Sequence, residues 1–313
     1  MKKTRQGKDR LVVLLGPTAV GKTALSIGLA QALRAEIISG DSMLVYRGFD
    51  VGTAKPTWEE RGGIVHHLID IRAPEEHYSV QEFQQEAGQI IHSLNERGCL
   101  PLLVGGTGLY VQSLLEGYAF NAAGGDAAFR ARLQAVADER GGNYIYALLR
   151  EKDPVAASTI HPHNVRRVIR ALEVASTGGE SISRHRRGNL AYDVYVIGLA
   201  RPRAELYARI DARVRAMAAQ GLAAEVRGLL AAGVTPDMQP MQGIGYKEMA
   251  AYLAGRGTWE EALAAIARAT RHFAKRQLTW FRRMGYIHWF DVSGKSEEKI
   301  LNEILWNIRG FFR

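Results

Sequence analysis

Leu11-Val12-Val13-Leu14-Leu15 is a continuous apolar run that stops at Gly16, and Gly16-Pro17-Thr18-Ala19-Val20-Gly21-Lys22-Thr23 fits the pattern G-x-x-x-x-G-K-[ST] without exception. An apolar run of this kind suits a strand buried on both faces of a parallel sheet. Leu25, Leu29 and Leu33 then recur one helical turn apart. A buried strand, a glycine loop and an amphipathic helix form the context in which such a loop binds phosphate. The glycines let the backbone curl so that successive N–H groups face one cavity, and the helix start adds partial positive charge. Lys22 is placed to reach terminal phosphates, and the Thr23 hydroxyl to hold Mg²⁺.

The same alternation continues downstream. Glu36-Ile37-Ile38-Ser39 reads as a second strand. Ser79 and Glu82 form a capping box for a helix from Val80 to about Arg97, which Gly98 ends. Leu100 to Val104 reads as another buried strand, stopped by Gly105-Gly106. Asn121-Ala122-Ala123-Gly124-Gly125 is a breaker-rich joint, and Asp126 to Arg187 is helical in character. A strand returns at Val194 to Leu199, and the rest, from Ala204, reads as mostly helix. The expected fold class is α/β, a P-loop NTPase-like open parallel sheet over residues 1–119 and 192–313 with a helical C-terminal part. A mostly helical insertion domain is expected at 120–191.

At 313 residues and 47% apolar, the chain has enough material for a sizeable core, so disorder of the whole chain is excluded. The formal net charge of +9 points to phosphate-rich partners, nucleic acid first, although such charge can also serve solubility alone. The single cysteine, Cys99, precludes an internal disulfide and a cysteine-based zinc site, and reads as a buried small hydrophobe in a reducing compartment. No apolar stretch approaches the ~20 residues that span a bilayer. A cytoplasmic, monomeric protein without membrane association is expected.

Ligands of open parallel sheets bind beyond the carboxyl ends of the strands. Asp41 follows one strand and Thr107 another, so both are expected beside the phosphate loop. Asp41 could be a general base, a metal ligand or a turn residue; Thr107 could act on a ligand or satisfy a tight turn. Ordinary nucleotide hydrolysis usually needs an aspartate after a further apolar strand. Here Leu100 to Val104 leads into Gly105-Gly106-Thr107-Gly108 and offers none.

Ser39 to Gly48 and Asp50-Val51-Gly52-Thr53-Ala54-Lys55-Pro56 closely resemble the tRNA dimethylallyltransferase family. So do His66-His67-Leu68-Ile69-Asp70-Ile71, Leu103 to Tyr110, Arg170-Ala171-Leu172-Glu173-Val174, Gly243-Ile244-Gly245-Tyr246 and Ala274 to Arg282. The matches run in the family's order from about residue 11 to 283. The resemblance implies transfer of a dimethylallyl group from dimethylallyl diphosphate to the exocyclic amine of adenosine 37 in tRNA, giving N6-isopentenyladenosine, with Mg²⁺ as cofactor. It implies that Gly16–Thr23 holds the donor's diphosphate, that Asp41 is the general base, that Thr107 contacts the tRNA near the reacting adenine, and that Arg213 assists the diphosphate. It further implies tRNA contacts from Asp41, Ser42, Met43 and Leu44, from Arg130, from Arg166, Arg167, Val168, Ile169 and Arg170, and from Met241, Gln242, Gly243, Ile244, Gly245 and Tyr246. The family usually has glutamine where this chain has Leu44. Without the resemblance, Arg213 reads as a solvated helix arginine. His66 and His67, adjacent on a strand, point to opposite faces and read as structural rather than metal-binding.

Residues 262–290 contain no Asp or Glu but carry Arg268, Arg271, Lys275, Arg276, Arg282 and Arg283. Arg271 and Lys275 share a helix face that suits a phosphate backbone, while Ile266, Phe273 and Trp280 form a stripe that can pack inward. Arg166, Arg167, Arg170, Arg184, Arg186 and Arg187 add a second basic cluster. The rivals on residues alone are a small-molecule kinase on the same fold and an RNA-binding module that uses ATP as a switch.

Overall fold

The computed structural model describes residues 7–120, 126–176 and 189–312. Arg184, Arg186, Arg187 and the joint at 121–125 lie outside the described residues. The chain divides into two compact units, one of Met1–Leu115 with Leu190–Arg313 and one of Glu116–Asn189. The insertion was expected over 120–191, so its borders fall slightly earlier in the chain.

The first unit is built on six parallel strands in the order β3-β2-β4-β1-β5-β6. These are β1 (Arg10–Leu15), β2 (Glu36–Gly40), β3 (His66–His67), β4 (Pro101–Gly105), β5 (Asp193–Ala200) and β6 (Ile287–Asp291). Its helices are α1 (Lys22–Leu33), α2 (Val80–Glu96) and α3 (Gly108–Glu116), the last reaching one residue past the border. After the insertion come α8 (Arg203–Ala219), α9 (Leu222–Ala231), α10 (Tyr246–Leu253), α11 (Trp259–Phe281) and α12 (Glu297–Phe311). The capping box of α2 forms as expected: Glu82 N–H donates to Ser79 Oγ at 3.2 Å, and Ser79 N–H to Glu82 Oε2 at 2.8 Å.

Side chains of β1 alternate between two cores. Leu11, Val13 and Leu15 join Phe83, Ile91, Val111, Tyr246 and Phe281. Val12 and Leu14 join Leu25, Leu29, Ile210, Ile304 and Ile308 on the other face. With apolar layers on both faces, the central strands read as unbroken hydrophobic runs.

The second unit holds α4 (Ala127–Arg140), α5 (Gly142–Lys152), α6 (Pro154–Thr159) and α7 (Val165–Ser176). They close on a core of Ile145, Leu149, Ala156, Ile160, Val168 and Leu172.

Two expectations need correction. Ile287-His288-Trp289-Phe290-Asp291 is strand β6 within a stretch read as helix. Pairing with β5, with Val196 opposite Ile287, supplies what this short half-exposed run lacks on its own. The buried stripe of α11 runs through Ile266, Ala274, Gln277 and Phe281 rather than through Phe273 and Trp280, the latter being 38% exposed.

Candidate active site

The parallel register sets three strand ends level. Leu15 lies opposite Gly105, and Gly105 opposite Gly40. The loops that begin at Gly16, Asp41 and Gly106 therefore emerge side by side, at the carboxyl edge where open α/β sheets bind ligands. A Cβ on Gly105 would stand 2.5 Å from Gly40 O, so only glycine lets these two strand ends approach so closely.

These loops, with α8, α11 and the segment before β3, enclose a cavity of about 610 Å³. Lys22, Thr23, Asp41, Leu44, Arg213 and Gly106 are among its lining residues. Ile37, Leu44, Pro56, Ile69, Val104 and Phe273 add apolar side chains to its lining. Gly21, at φ 112°, turns the chain into α1 without any side-chain cap, so the first-turn N–H groups of α1 remain available to an anion. Thr23 is exposed at this helix start.

Lys22 Nζ donates to Gly16 O and Pro17 O, both at 2.9 Å. Burial lowers its pKa to about 8; nearby Asp41 opposes the shift and Arg213 adds to it. Arg213 is likewise lowered by burial, again with Asp41 opposing. Two cations thus face one carboxylate, and the imbalance favours an anionic ligand. Asp41 Oδ1 accepts the Met43 N–H at 2.9 Å, a local turn that leaves Oδ2 without a hydrogen-bond partner among the described residues. Thr107 Oγ1 accepts the Ser42 N–H at 3.1 Å and lies 3.3 Å from Ser42 Oγ, which it can donate to.

Arg213 is held from the far side. Its Nη2 donates to Thr53 O at 3.0 Å. The turn before Thr53 presents three N–H groups, of Asp50, Val51 and Gly52, to the Glu225 carboxylate at 3.0, 2.6 and 3.1 Å. Tyr246 Oη also donates to Glu225, at 2.7 Å. A Cβ on Gly52 would fall 2.5 Å from the Tyr246 ring, which explains the glycine. Lys55, almost fully buried, ties the same segment down through Asp50 at 2.6 Å, Asp70 and Tyr46 O.

The sequence reading missed three groups on the phosphate loop. Arg209 Nε donates to Ala19 O at 2.8 Å and Arg201 Nε to Val20 O at 3.0 Å. Gln277 Oε1 accepts the Thr18 N–H at 2.9 Å. Arg201 and Arg209 have no motif signal; Gln277 lies inside a block used for resemblance but carries no local signature.

Other predicted residues divide by burial. Met241 and Tyr246 are fully buried, and Val168 and Ile169 pack inside the second unit. Gln242 is exposed. Gly243 packs on Met43, where a Cβ would lie 2.5 Å from Met43 Cε, so the segments 41–44 and 241–246 adjoin. Ile244 is half-buried, and Gly245, at φ 99°, starts α10. Within the second unit Arg166, Arg167 and Arg170 are exposed. Arg170 and Arg130 share the buried Glu173 carboxylate, at 2.6 and 3.5 Å. Arg271 is paired with Asp211 at 2.5 Å, whereas Lys275 lines an open basic groove of about 480 Å³ with His272, Arg276, Trp280 and Arg283. His66 Nδ1 lies 2.9 Å from Ile64 O and His67 Nε2 2.6 Å from Glu36 Oε2, both structural contacts.

The IPP transferase family model matches residues 44–284. A tRNA dimethylallyltransferase of Symbiobacterium thermophilum is 51% identical over 303 residues, covering 96% of this chain and 95% of that one. One from Bacillus licheniformis is 50% identical over 289 residues, covering 91% and 92%. Among solved structures, the tRNA isopentenylpyrophosphate transferase of Bacillus halodurans superposes with a TM-score of 0.74 at 45% identity, over 97% of each chain. A eukaryotic dimethylallyltransferase acting on tRNA gives 0.77 at 27% identity, over 96% of this chain and 80% of that one. Sequence and fold agree over nearly the full length, and the chain belongs to the tRNA dimethylallyltransferase family.

Proposed function

We propose that this enzyme transfers a dimethylallyl group from dimethylallyl diphosphate to N6 of adenosine 37 in the anticodon arm of tRNA, giving N6-isopentenyladenosine. The observation that carries the reading is one cavity lined by Lys22, Arg213, Asp41 and the start of α1 together with several apolar side chains. The cationic groups suit a diphosphate, and Ile37, Leu44, Ile69 and Val104 suit a small prenyl group.

In the reaction, N6 of the adenine forms a bond to C1 of the prenyl group as the C1–O bond to the diphosphate breaks. The amine lone pair is delocalised into the ring, so N6 must lose a proton as the new bond forms. Asp41 Oδ2 takes that proton. Charge grows on the leaving diphosphate, where Lys22, Arg213 and the first-turn N–H groups of α1 stabilise it. Thr107 is not among the residues lining the cavity; it is tied to Ser42 beside Asp41, where its part in this reading is to contact the acceptor. Among the described residues no cluster of acidic or histidine side chains could hold a metal alone. The donor set suits Mg²⁺ carried in with the diphosphate, with the Thr23 hydroxyl as the protein ligand and neutralisation of the leaving group as its chemistry. The target base leaves its loop stack to enter, which costs less than extrusion from a duplex. Every group invoked comes from one chain, so a monomer suffices. Among the described residues no helix is long and apolar enough to cross a membrane.

The test is incubation with unmodified tRNA, Mg²⁺ and dimethylallyl diphosphate, followed by nucleoside mass spectrometry. N6-isopentenyladenosine at position 37 supports the reading; its absence from a folded, tRNA-binding protein overturns it.

Two further expectations follow from the site. Lys22 is protonated below its folded value of about 8 and loses its charge as pH rises through it. Donor binding should therefore hold steady up to about pH 8 and weaken above it, read as a rising KM for dimethylallyl diphosphate. A KM flat to about pH 9.5 would contradict the placement of Lys22 on the diphosphate. On the RNA side, Lys275→Ala should weaken tRNA binding and reduce the salt dependence of log K by about one. Arg271→Ala should do less, since Asp211 already neutralises Arg271. Equal losses from the two variants would show that the Asp211 pair opens on binding.

A further inference from the structure

Gln277 is 5% exposed and stands on the inner face of α11. Both ends of its amide are used. Oε1 accepts the Thr18 N–H of the phosphate loop at 2.9 Å, and Nε2 donates to Gly106 O at 2.8 Å. The assignment of oxygen and nitrogen is forced, because Thr18 offers only a donor and Gly106 only an acceptor. One turn further along α11, Trp280 lies on Gly108, where a Cβ would come 2.6 Å from the indole. A Cβ on Gly106 would come 2.5 Å from Gln277 Nε2. The glycines on either side of Thr107 thus leave room for these two side chains of α11.

The links run in series. Thr18 is joined through Gln277 to Gly106, and Thr107 to Ser42, the residue after Asp41. The donor loop and the loop that carries Thr107 belong to different strands and are separated by ~90 residues of sequence. A side chain that bonds both sets their spacing directly.

We propose that Gln277 is a positioning residue that fixes the phosphate loop against the Gly106–Thr107 turn, so that the leaving diphosphate and the attacking amine meet in reactive geometry. The proposal rests on the prenyl-transfer reading above. Gln277 lines the same cavity, but both polar ends of its amide are taken by Thr18 and Gly106, and it acts through them. Misplacement of reacting groups by about 1 Å costs on the order of 10²-fold in rate. Loss of the strut should therefore appear in kcat and not in substrate affinity.

Gln277→Met keeps the volume and removes both hydrogen bonds. It should lower kcat at least about tenfold, with KM for dimethylallyl diphosphate and the Kd for tRNA within about threefold of wild type. A folded Met variant with kcat within about twofold of wild type overturns the proposal. Gln277→Glu provides a second readout. Its carboxylate still accepts from Thr18 but cannot donate to Gly106 O until it is protonated. The ratio of variant to wild-type kcat, measured at saturating donor, should rise as pH falls from about 8 to about 5.5. A flat ratio overturns the proposal even if the Met variant does not fold. Wild-type protein that fails to prenylate tRNA sinks the functional reading itself, whereas active wild type with equally active variants sinks only the role of Gln277.

Discussion

Asp41→Asn is expected to lower kcat for prenyl transfer by about 10²- to 10⁴-fold, the usual contribution of a positioned general base. Asparagine keeps the shape, and its Oδ1 can still accept the Met43 N–H that Asp41 holds at 2.9 Å. The turn that carries Ser42 and its bond to Thr107 should therefore survive, and tRNA affinity should stay within about threefold. The substitution has a second consequence. Asp41 is what opposes the lowering of Lys22, so its removal should push Lys22 below about 8 and move the onset of donor weakening to lower pH. Assay at saturating dimethylallyl diphosphate and at a pH well below 8, where Lys22 keeps its charge, reports the loss of the base in kcat. Unchanged kcat would remove Asp41 as the base.

Lys22→Met is expected to lower kcat/KM for dimethylallyl diphosphate by about 10²- to 10³-fold, the scale reported by removal of one preorganised electrostatic donor. Arg213 and the first-turn N–H groups of α1 remain, so activity should fall without vanishing. The stability of the variant should not fall with its activity: relief of a buried charge is set against loss of the hydrogen bonds to Gly16 O and Pro17 O. Burial already disfavours the charge on Lys22, since its pKa falls from 10.5 to about 8. An apolar side chain of similar length removes that cost. A variant that is inactive because it is unfolded, seen as a large drop in Tm, would contradict this account; an unchanged or higher Tm with the stated loss supports it.

The parts of the fold and site that were legible are those written in local sequence. The apolar runs at Leu11–Leu15 and Val194–Leu199 read as buried strands because two helical layers cover them. Gly16–Thr23 could be read because a phosphate loop needs glycine, lysine and a hydroxyl at fixed positions. The placement of Asp41 and Thr107 beside the phosphate loop followed from strand ends, since a parallel sheet brings such residues to one edge, whereas roles for them came only with the family resemblance. β6 was not legible, because Ile287–Asp291 is short, half-exposed and pairs only with β5 in the sheet order. The inward stripe of α11 was misjudged for a physical reason. Hydrophobicity favoured Phe273 and Trp280, yet the helix buries Gln277, whose amide meets two backbone groups that no apolar side chain could satisfy. Arg201, Arg209 and Glu225 were invisible for the same reason: each serves a backbone group more than a hundred residues away in sequence. The resemblance implies RNA contacts from the segments that carry Val168, Ile169, Met241 and Tyr246, and a segment match does not say which of their side chains are buried, as these four are.

In the proposed function the phosphate loop serves a prenyl diphosphate rather than a nucleotide. The most direct measurement is a single incubation of the wild-type enzyme with unmodified tRNA, Mg²⁺, dimethylallyl diphosphate and ATP together, following nucleosides and phosphates by mass spectrometry. The expected products are N6-isopentenyladenosine and inorganic diphosphate in equal amounts, with ATP unconsumed. Formation of ADP while the tRNA stays unmodified would contradict the proposed function and place the chain with nucleotide-dependent phosphoryl transfer instead.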